Sequence, residues 1–328
     1  MIHKENIYKF FSSPIFAILV IFLLLNIFFI IKAPDSFFQL ENYVNILRQS
    51  ATIILVASAA TILMMTGNFD LSTGSVVAFS AVIYALCVKS GLSLIIGAAI
   101  AVICGIIIGI INGMLVTKMN FPPFIATLGM MYVCRGIALI LAKGTTVRDD
   151  MPLQIFYLAE KSFLSIPIYI WIVIIALTVF IFIEKKTLLG KYALAIGGNK
   201  NAAIFSGINT GTIILVIYIV VGMAASFAGI MTASRLGAGD PRGAYGFEFD
   251  VILAILLGGT KLSGGKGSVI GTFIGAVIVT ILGNGLSMLN ILIFWQNILK
   301  GIMFILIIVL YEKILKNIGN KSLISLKS

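Results

Sequence analysis

Charge is scarce in this sequence. Asp, Glu, Lys and Arg supply 11% of its 328 residues, and only 12 of them are acidic, whereas a soluble domain carries about 25%. Histidine occurs once, at His3 in the N-terminal tail, which argues against histidine-based relays and metal centres. The cysteines Cys87, Cys104 and Cys134 all fall inside apolar runs, without the paired spacing of a metal site or the loop placement of disulfides. They read as small core residues. No polar region is longer than roughly 30 residues, which leaves no room for a nucleotide-binding or catalytic domain with its own core.

What fills the chain instead is apolar. It is 60% hydrophobic with a mean hydropathy of +1.14, more apolar surface than a soluble domain of this length can keep from water. The runs approach the roughly 20 residues that a helix needs to cross the hydrocarbon layer with every backbone amide satisfied internally. The expected fold class is therefore an all-α integral membrane protein, a single transmembrane domain over 1–328. About ten helices are expected, at 14–32, 50–66, 75–88, 92–117, 124–142, 166–183, 212–234, 250–258, 268–289 and 294–314. The third and eighth are too short to cross unaided and are expected to be broken, tilted or re-entrant. The first run is followed by Lys-Ala-Pro-Asp rather than a small-x-small cleavage site, so it is expected to stay as a transmembrane helix.

Lys and Arg set the expected orientation. With the N-terminus cytoplasmic, the inner segments hold thirteen basic and four acidic residues, and the outer ones eight of each. Both termini are then cytoplasmic. The net charge of +11 collects on that face, which suits topology and anionic lipid rather than nucleic acid, because no basic stretch is interleaved with aromatics in a folded soluble domain.

Four polar features interrupt the apolar pattern. The longest is an island from Glu184 to Thr212, with 184–211 a cytoplasmic loop, whose core Asn199–Gly207 can form two short helical turns ending at Gly207. Small residues at Ala202, Ala203 and Ser206 let another surface come close. The second is Gly67–Ser75, GNFDLSTGS, where Ser72, Thr73 and Ser75 can cap a helix starting near Val76. Its Asp70 either sits in a turn that breaks the span or lines a translocation path. The third is Gly258–Ser268, GGTKLSGGKGS. It lacks the spacing of a phosphate-cradling loop, because Thr260 stands five before Gly265 and Gly267 follows Lys266; it reads as a tight turn into the ninth span. The fourth is a pair of basic residues within spans, Arg135 and Lys300, which either cluster with Asp250 or snorkel to the headgroups. Glycines at four-residue spacing, Gly105/Gly109/Gly113 and Gly271/Gly275, predict close helix contacts.

Taken in order, GNFDLSTGS (67–75), NGMLVTKMNFPPFIATLGM (112–130), RGIAL (135–139), LGKYALAIGGNKNAAIFSGIN (189–209), FAGIMTASRL (227–236), GAYGFEFDVILAILLGGTKLSGGKGSVIGTFIGA (243–276) and FWQNILKG (294–301) resemble the membrane permease of bacterial ABC importers of the ribose, xylose and arabinose type. The resemblance runs through nearly the whole chain after Asn42. It implies a permease of the cytoplasmic (inner) membrane that pairs with a second permease copy, homodimeric or heterodimeric. It also implies two cytoplasmic ABC ATPase subunits and a periplasmic or lipid-anchored sugar-binding protein as partners. ATP would be bound by the ATPases, so no cofactor and no catalysis are expected of this chain. The island matches the ATPase-coupling segment, with Gly198, Asn199, Asn201, Ala202, Ala203, Ser206 and Gly207 at the contact; Lys200 departs from the usual acidic or small residue there. Ala203→Arg or Gly207→Trp is expected to abolish ATPase association while leaving the permease folded.

The residues expected in the translocation path or an intramembrane polar cluster are Asp70, Ser72, Asn112, Arg135, Asp250, Asn284 and Lys300. An ion-coupled transporter of a small polar solute would be expected to show deeper acidic or histidine relays. A membrane enzyme would need paired carboxylates, which Asp149-Asp150 in a polar loop does not supply. A nucleoside or signalling furanose would leave the same traces as a pentose.

Overall fold

A computed structural model describes residues 14–306 apart from residue 165, together with residue 309, with side chains from residue 19 onward. His3, Lys4 and Lys9 of the N-terminal tail, the end of the tenth expected span and Lys313, Lys316, Lys321 and Lys327 lie outside the described residues. Among those described, the chain is nearly all helical. In order the helices are α1 Pro14–Lys32, α2 Pro34–Phe37, α3 Leu40–Met65, α4 Thr73–Lys89, α5 Leu94–Thr117, α6 Pro123–Leu141, α7 Tyr157–Glu160, α8 Ile168–Lys186, α9 Leu188–Gly198, α10 Lys200–Phe205, α11 Thr210–Leu236, α12 Phe247–Leu257 and α13 Val269–Met288. A further apolar helix, α14, covers Ile293–Leu306. A 3₁₀ turn at Leu153–Phe156 and a hairpin of β1 Ser162–Phe163 with β2 Ile166–Pro167 close the connection between α6 and α8.

Six helices, α3, α5, α6, α8, α11 and α13, are long and apolar enough to cross a membrane; α4 and α14 are shorter apolar helices, and of α1 the part with described side chains also counts as one. Each expected span coincides with a helix. The largest difference is α3, which starts at Leu40 instead of residue 50. Its first turns carry Glu41, Asn42, Arg48 and Gln49, so an apolar-run criterion misses them. They hold as helix partly because buried Asn42 donates from Nδ2 to the Phe37 carbonyl at 3.0 Å.

Most of α3, α11 and α13 is buried, whereas only a minority of α5, α6 and α8 is. Ile95 and Ile140 on the outer helices are 82% and 76% exposed. In water such faces would drive aggregation, but beside lipid tails they are the ordinary outer surface. Lipid offers no hydrophobic drive for helix association, so close backbone packing has to supply it. α5 meets α11 along Gly105, Gly109 and Gly113: a Cβ at Gly105 would strike Ser226 Oγ and the Gly222 carbonyl, and one at Gly109 the Tyr218 carbonyl. Gly271 and Gly275 bring α13 against the Gly258 and Ala254 carbonyls in the same way.

Two helices do not run the length of the bundle. α4 has 17 residues and α12 has 11. Each follows a long helix and a non-helical break, residues 66–72 after α3 and 237–246 after α11. Their first turns lie together inside the bundle, where Gly74 of α4 faces the Ala244 carbonyl and the Glu248 carboxylate. From there α4 leads to the end formed by residues 142–167, with Val147 bridged to Gly239, and α12 to the opposite end, which carries α9 and α10.

Candidate functional site

The first break is held by side chains from three neighbouring helices. Asp70 Oδ1 accepts from the Ser72 amide at 2.7 Å and the Ser72 hydroxyl at 2.6 Å. Asn112 Nδ2 of α5 donates to Ser72 Oγ at 3.0 Å and to Asp70 Oδ2 at 3.4 Å. The Leu71 amide donates to Thr127 Oγ1 of α6 at 3.1 Å, and the Tyr218 hydroxyl of α11 to the Phe69 carbonyl at 3.1 Å. A non-helical segment survives at membrane depth only when its polar groups are satisfied by protein. The expected cap at Ser72 is thus corrected: Ser72 occupies the N-cap position without a capping side-chain bond. Its hydroxyl is instead spent on Asp70, whose carboxylate makes the local turn that starts α4.

A second polar group lines a cavity of about 700 Å³ between α6, α12 and α14. Leu71 connects its wall to the first break. Arg135, Glu248, Asp250, Asn297 and Lys300 supply its polar groups, and Tyr132, Tyr245, Phe249 and Phe304 its aromatic ones. Lys300 Nζ lies 2.8 Å from Asp250 Oδ1 and 2.9 Å from Oδ2, so it pairs rather than snorkels. Arg135 does not join that pair. Its Nη1 donates to the Pro241 and Gly243 carbonyls at 2.8 and 2.6 Å and holds the second break in place.

The path candidates therefore separate into three places. Asp70, Ser72 and Asn112 form one hydrogen-bonded knot, and Arg135, Asp250 and Lys300 share the cavity. Asn284 belongs to neither: it lies buried in α13, with Oδ1 unpartnered among the described residues. Sequence reasoning missed Glu248, which is 6% exposed with Oε2 lacking any partner among the described residues. Its signal was present as an acid two residues before Asp250 in an otherwise apolar run, but a charge count placed it in an outer loop.

At the far end, the island core Asn199–Gly207 forms the expected short helical turns as α10, and a second helix, α9, precedes it. Thr187 Oγ1 accepts from the Gly190 amide at the start of α9, and Asn199 Oδ1 accepts from the Ala202 amide at 3.0 Å to start α10. Gly207 has φ +81°, a left-handed stop that a side chain would strain. One side of the island is locked to the bundle. Gly197 packs against the Met65 carbonyl and against Gly264 and Gly265, and the Gly265 amide donates to that same carbonyl at 2.9 Å. The glycines of 258–268 thus permit backbone contact where no phosphate loop was expected. Glu184 also faces inward, accepting from the Val269 amide at 2.9 Å at the start of α13.

The other side is open. Gly198, Asn199, Lys200, Asn201, Ala202, Ser206 and Gly207 are exposed, and Ile204 and Phe205 are 49% and 91% exposed. Ala203 is the exception, 4% exposed and packed into the core. The expectation that Ala203→Arg leaves the permease folded is corrected accordingly, because the new guanidinium would have to displace buried apolar contacts.

A nearly all-helical bundle with six helices long and apolar enough to cross a membrane, two broken elements and an open polar island defines a multi-pass membrane protein. Residues 42–308 match the family model described as branched-chain amino acid transport system / permease component. The chain is 38% identical over 288 residues to the probable ABC transporter permease protein YphD of Escherichia coli K12, covering 88% of this chain and 86% of that one. It is 37% identical over 281 residues to the ribose import permease protein RbsC of Bacillus subtilis 168, covering 85% and 87%. With the L-arabinose ABC transporter permease protein AraH of Azospirillum brasilense it shares 34% over 300 residues, covering 92% and 88%. No solved structure matches the chain. The protein belongs to this family of ABC transporter permeases, and is a transport component rather than an enzyme.

Proposed function

We propose that this chain is the permease subunit of an ABC importer for a monosaccharide, a ribose-like pentose or a related sugar. It lies in a bacterial inner membrane with both termini and the island cytoplasmic, and its ten helical segments form a single domain that works beside a second permease copy. A periplasmic or lipid-anchored binding protein delivers the sugar, and separate ATPase subunits bind and hydrolyse ATP. The names of the relatives support the cargo class.

The observation that carries the coupling part of this reading is the two-sidedness of the island. Its inner side is pinned to the α3 terminus and the 258–268 turn, and its outer side presents Phe205 and Ile204 beside small polar residues. A helix held in this way can pass rigid-body motion of an attached ATPase to both halves of the bundle. An exposed aromatic at a helix end is also a suitable interface anchor.

Co-expression with a partner ABC ATPase and sugar-binding protein tests the proposal. Phe205→Arg should lose ATPase on purification of the permease while its melting temperature in detergent stays within about 2 °C, since an exposed substitution shifts stability little. Retention of the ATPase at wild-type stoichiometry would remove the coupling assignment.

A further inference from the structure

Among the described residues, Glu248 is a poorly accommodated acid. It is a carboxylate buried at the first turn of α12, pressed against Gly74 at the first turn of α4, with no cation at salt-bridge distance among the described residues and no donor to Oε2. Ionised groups at membrane depth are costly unless paired, and buried polar atoms are nearly always hydrogen-bonded. The two helix starts beside it favour negative charge and lower the cost of holding the carboxylate there. Among the described residues they place no donor on Oε2. Nothing larger than glycine fits at position 74, where a Cβ would overlap this carboxylate and the Ala244 carbonyl.

The same cavity holds a second underused group. Of the Arg135 nitrogens only Nη1 is engaged among the described residues, by two backbone carbonyls that fix the plane of the guanidinium. Asp250 and Lys300 neutralise each other. The unspent polar capacity of the cavity thus includes one strong acceptor and one oriented donor of opposite charge, beside the Asn297 amide, with Tyr132 and Tyr245 at 69% and 89% exposure on its wall. A volume of about 700 Å³ falls within the roughly 300–1,000 Å³ of small-molecule sites.

We infer that this cavity is a sugar-contacting station. The Glu248 carboxylate accepts from adjacent hydroxyls of a neutral monosaccharide, the free face of Arg135 donates to a ring or hydroxyl oxygen, and Tyr245 lies along an apolar face of the ring. This rests on the reading of the chain as a sugar permease and assigns the site residues within it. The opposite charges fit a neutral polyol, because either an acidic or an amino solute would meet one repelling partner. Charge-assisted hydrogen bonds to hydroxyls use the acceptor that the protein leaves empty.

The test uses the assembled importer in liposomes with labelled ribose, L-arabinose and D-allose. The wild type should take up at least one. Glu248→Gln should lower that uptake at least tenfold while its ATPase still copurifies and its melting temperature holds or rises, because an unpaired charge has been removed. Tyr245→Ala, at an exposed position, should lower uptake several-fold at unchanged stability. If the wild type imports none of the three sugars, the sugar-permease reading itself fails and the station with it. If the wild type imports but Glu248→Gln transports normally, or loses transport together with stability, the station is overturned and the permease reading stands; unchanged uptake by Tyr245→Ala overturns the stacking role.

Discussion

Asp70 and Glu248 are both carboxylates buried beside the first turn of α4, and their surroundings could hardly differ more. Asp70 is surrounded by donors: the Ser72 amide, the Ser72 hydroxyl and the Asn112 amide group all point at it. Glu248 faces Gly74 with an oxygen that no described residue serves. The first arrangement spends its bonds on holding a chain break together, while the second holds a charge in place and leaves one carboxylate oxygen unused among the described residues. Burial of an acid in a membrane bundle therefore does not by itself indicate a transport role. The state of its hydrogen bonds separates a structural knot from a site that can accept something.

The comparison can be broken most directly at Asp70. Asp70→Ala removes the acceptor of three bonds and leaves Asn112 and the Ser72 groups buried without it, which should cost on the order of 3 kcal/mol or more. The melting temperature in detergent and the yield of folded permease should both fall. A melting curve like the wild type's would remove the structural role assigned to the knot, and would erase the contrast with Glu248→Gln.

A smaller effect is expected at the ion pair. Lys300→Met strands Asp250 in the cavity wall and should cost about 2 kcal/mol, less than a fully buried pair because both side chains retain some exposure. The double variant Lys300→Met with Asp250→Leu should recover most of that loss, since replacing both partners leaves no orphaned charge. Equal melting temperatures for the single and double variants would show that the pair does not stabilise the cavity wall. The smallest effect sharpens the comparison from another side. Asn284 has an unpartnered oxygen like Glu248 but lies away from the cavity. Asn284→Leu should raise stability by up to about 1 kcal/mol with uptake unchanged; a transport defect there would show that unpartnered polar atoms outside the cavity also serve the cargo.

Helices and their approximate ends were legible in the sequence because hydrocarbon imposes a length and an internal hydrogen-bond rule on every crossing segment. Glycine spacing likewise pointed to close backbone packing of α5 and α13, and the structure supplied α11 and α12 as their partners. Side-chain roles were less legible. Ser72 looked like a capping residue because its type and position suit a cap, but Asp70, two residues earlier, makes the better local acceptor. Ala203 looked like part of an open face because it is small, whereas its smallness serves contact with the bundle behind it. Lys300 left two outcomes open in the sequence, and the proximity of α12 to α14 selected the ion pair.

By itself the sequence determined that this chain lives in a bilayer as helices, that one end carries an extended polar island, and that its motifs are those of a sugar-importer permease. The first two follow from composition and run length, and the third from the resemblance of its motifs to those of known permeases; none needs knowledge of what lies next to what. Only the tertiary structure decided that two short helices start against each other inside the bundle, that Asp70 is satisfied and Glu248 is not, and that the island has a pinned side and an open one. Each of these depends on groups far apart in the chain, Gly74 with Glu248, Asp70 with Asn112 and Met65 with Gly265. Hydrogen-bond satisfaction and steric fit are properties of such contacts, and no local pattern encodes them.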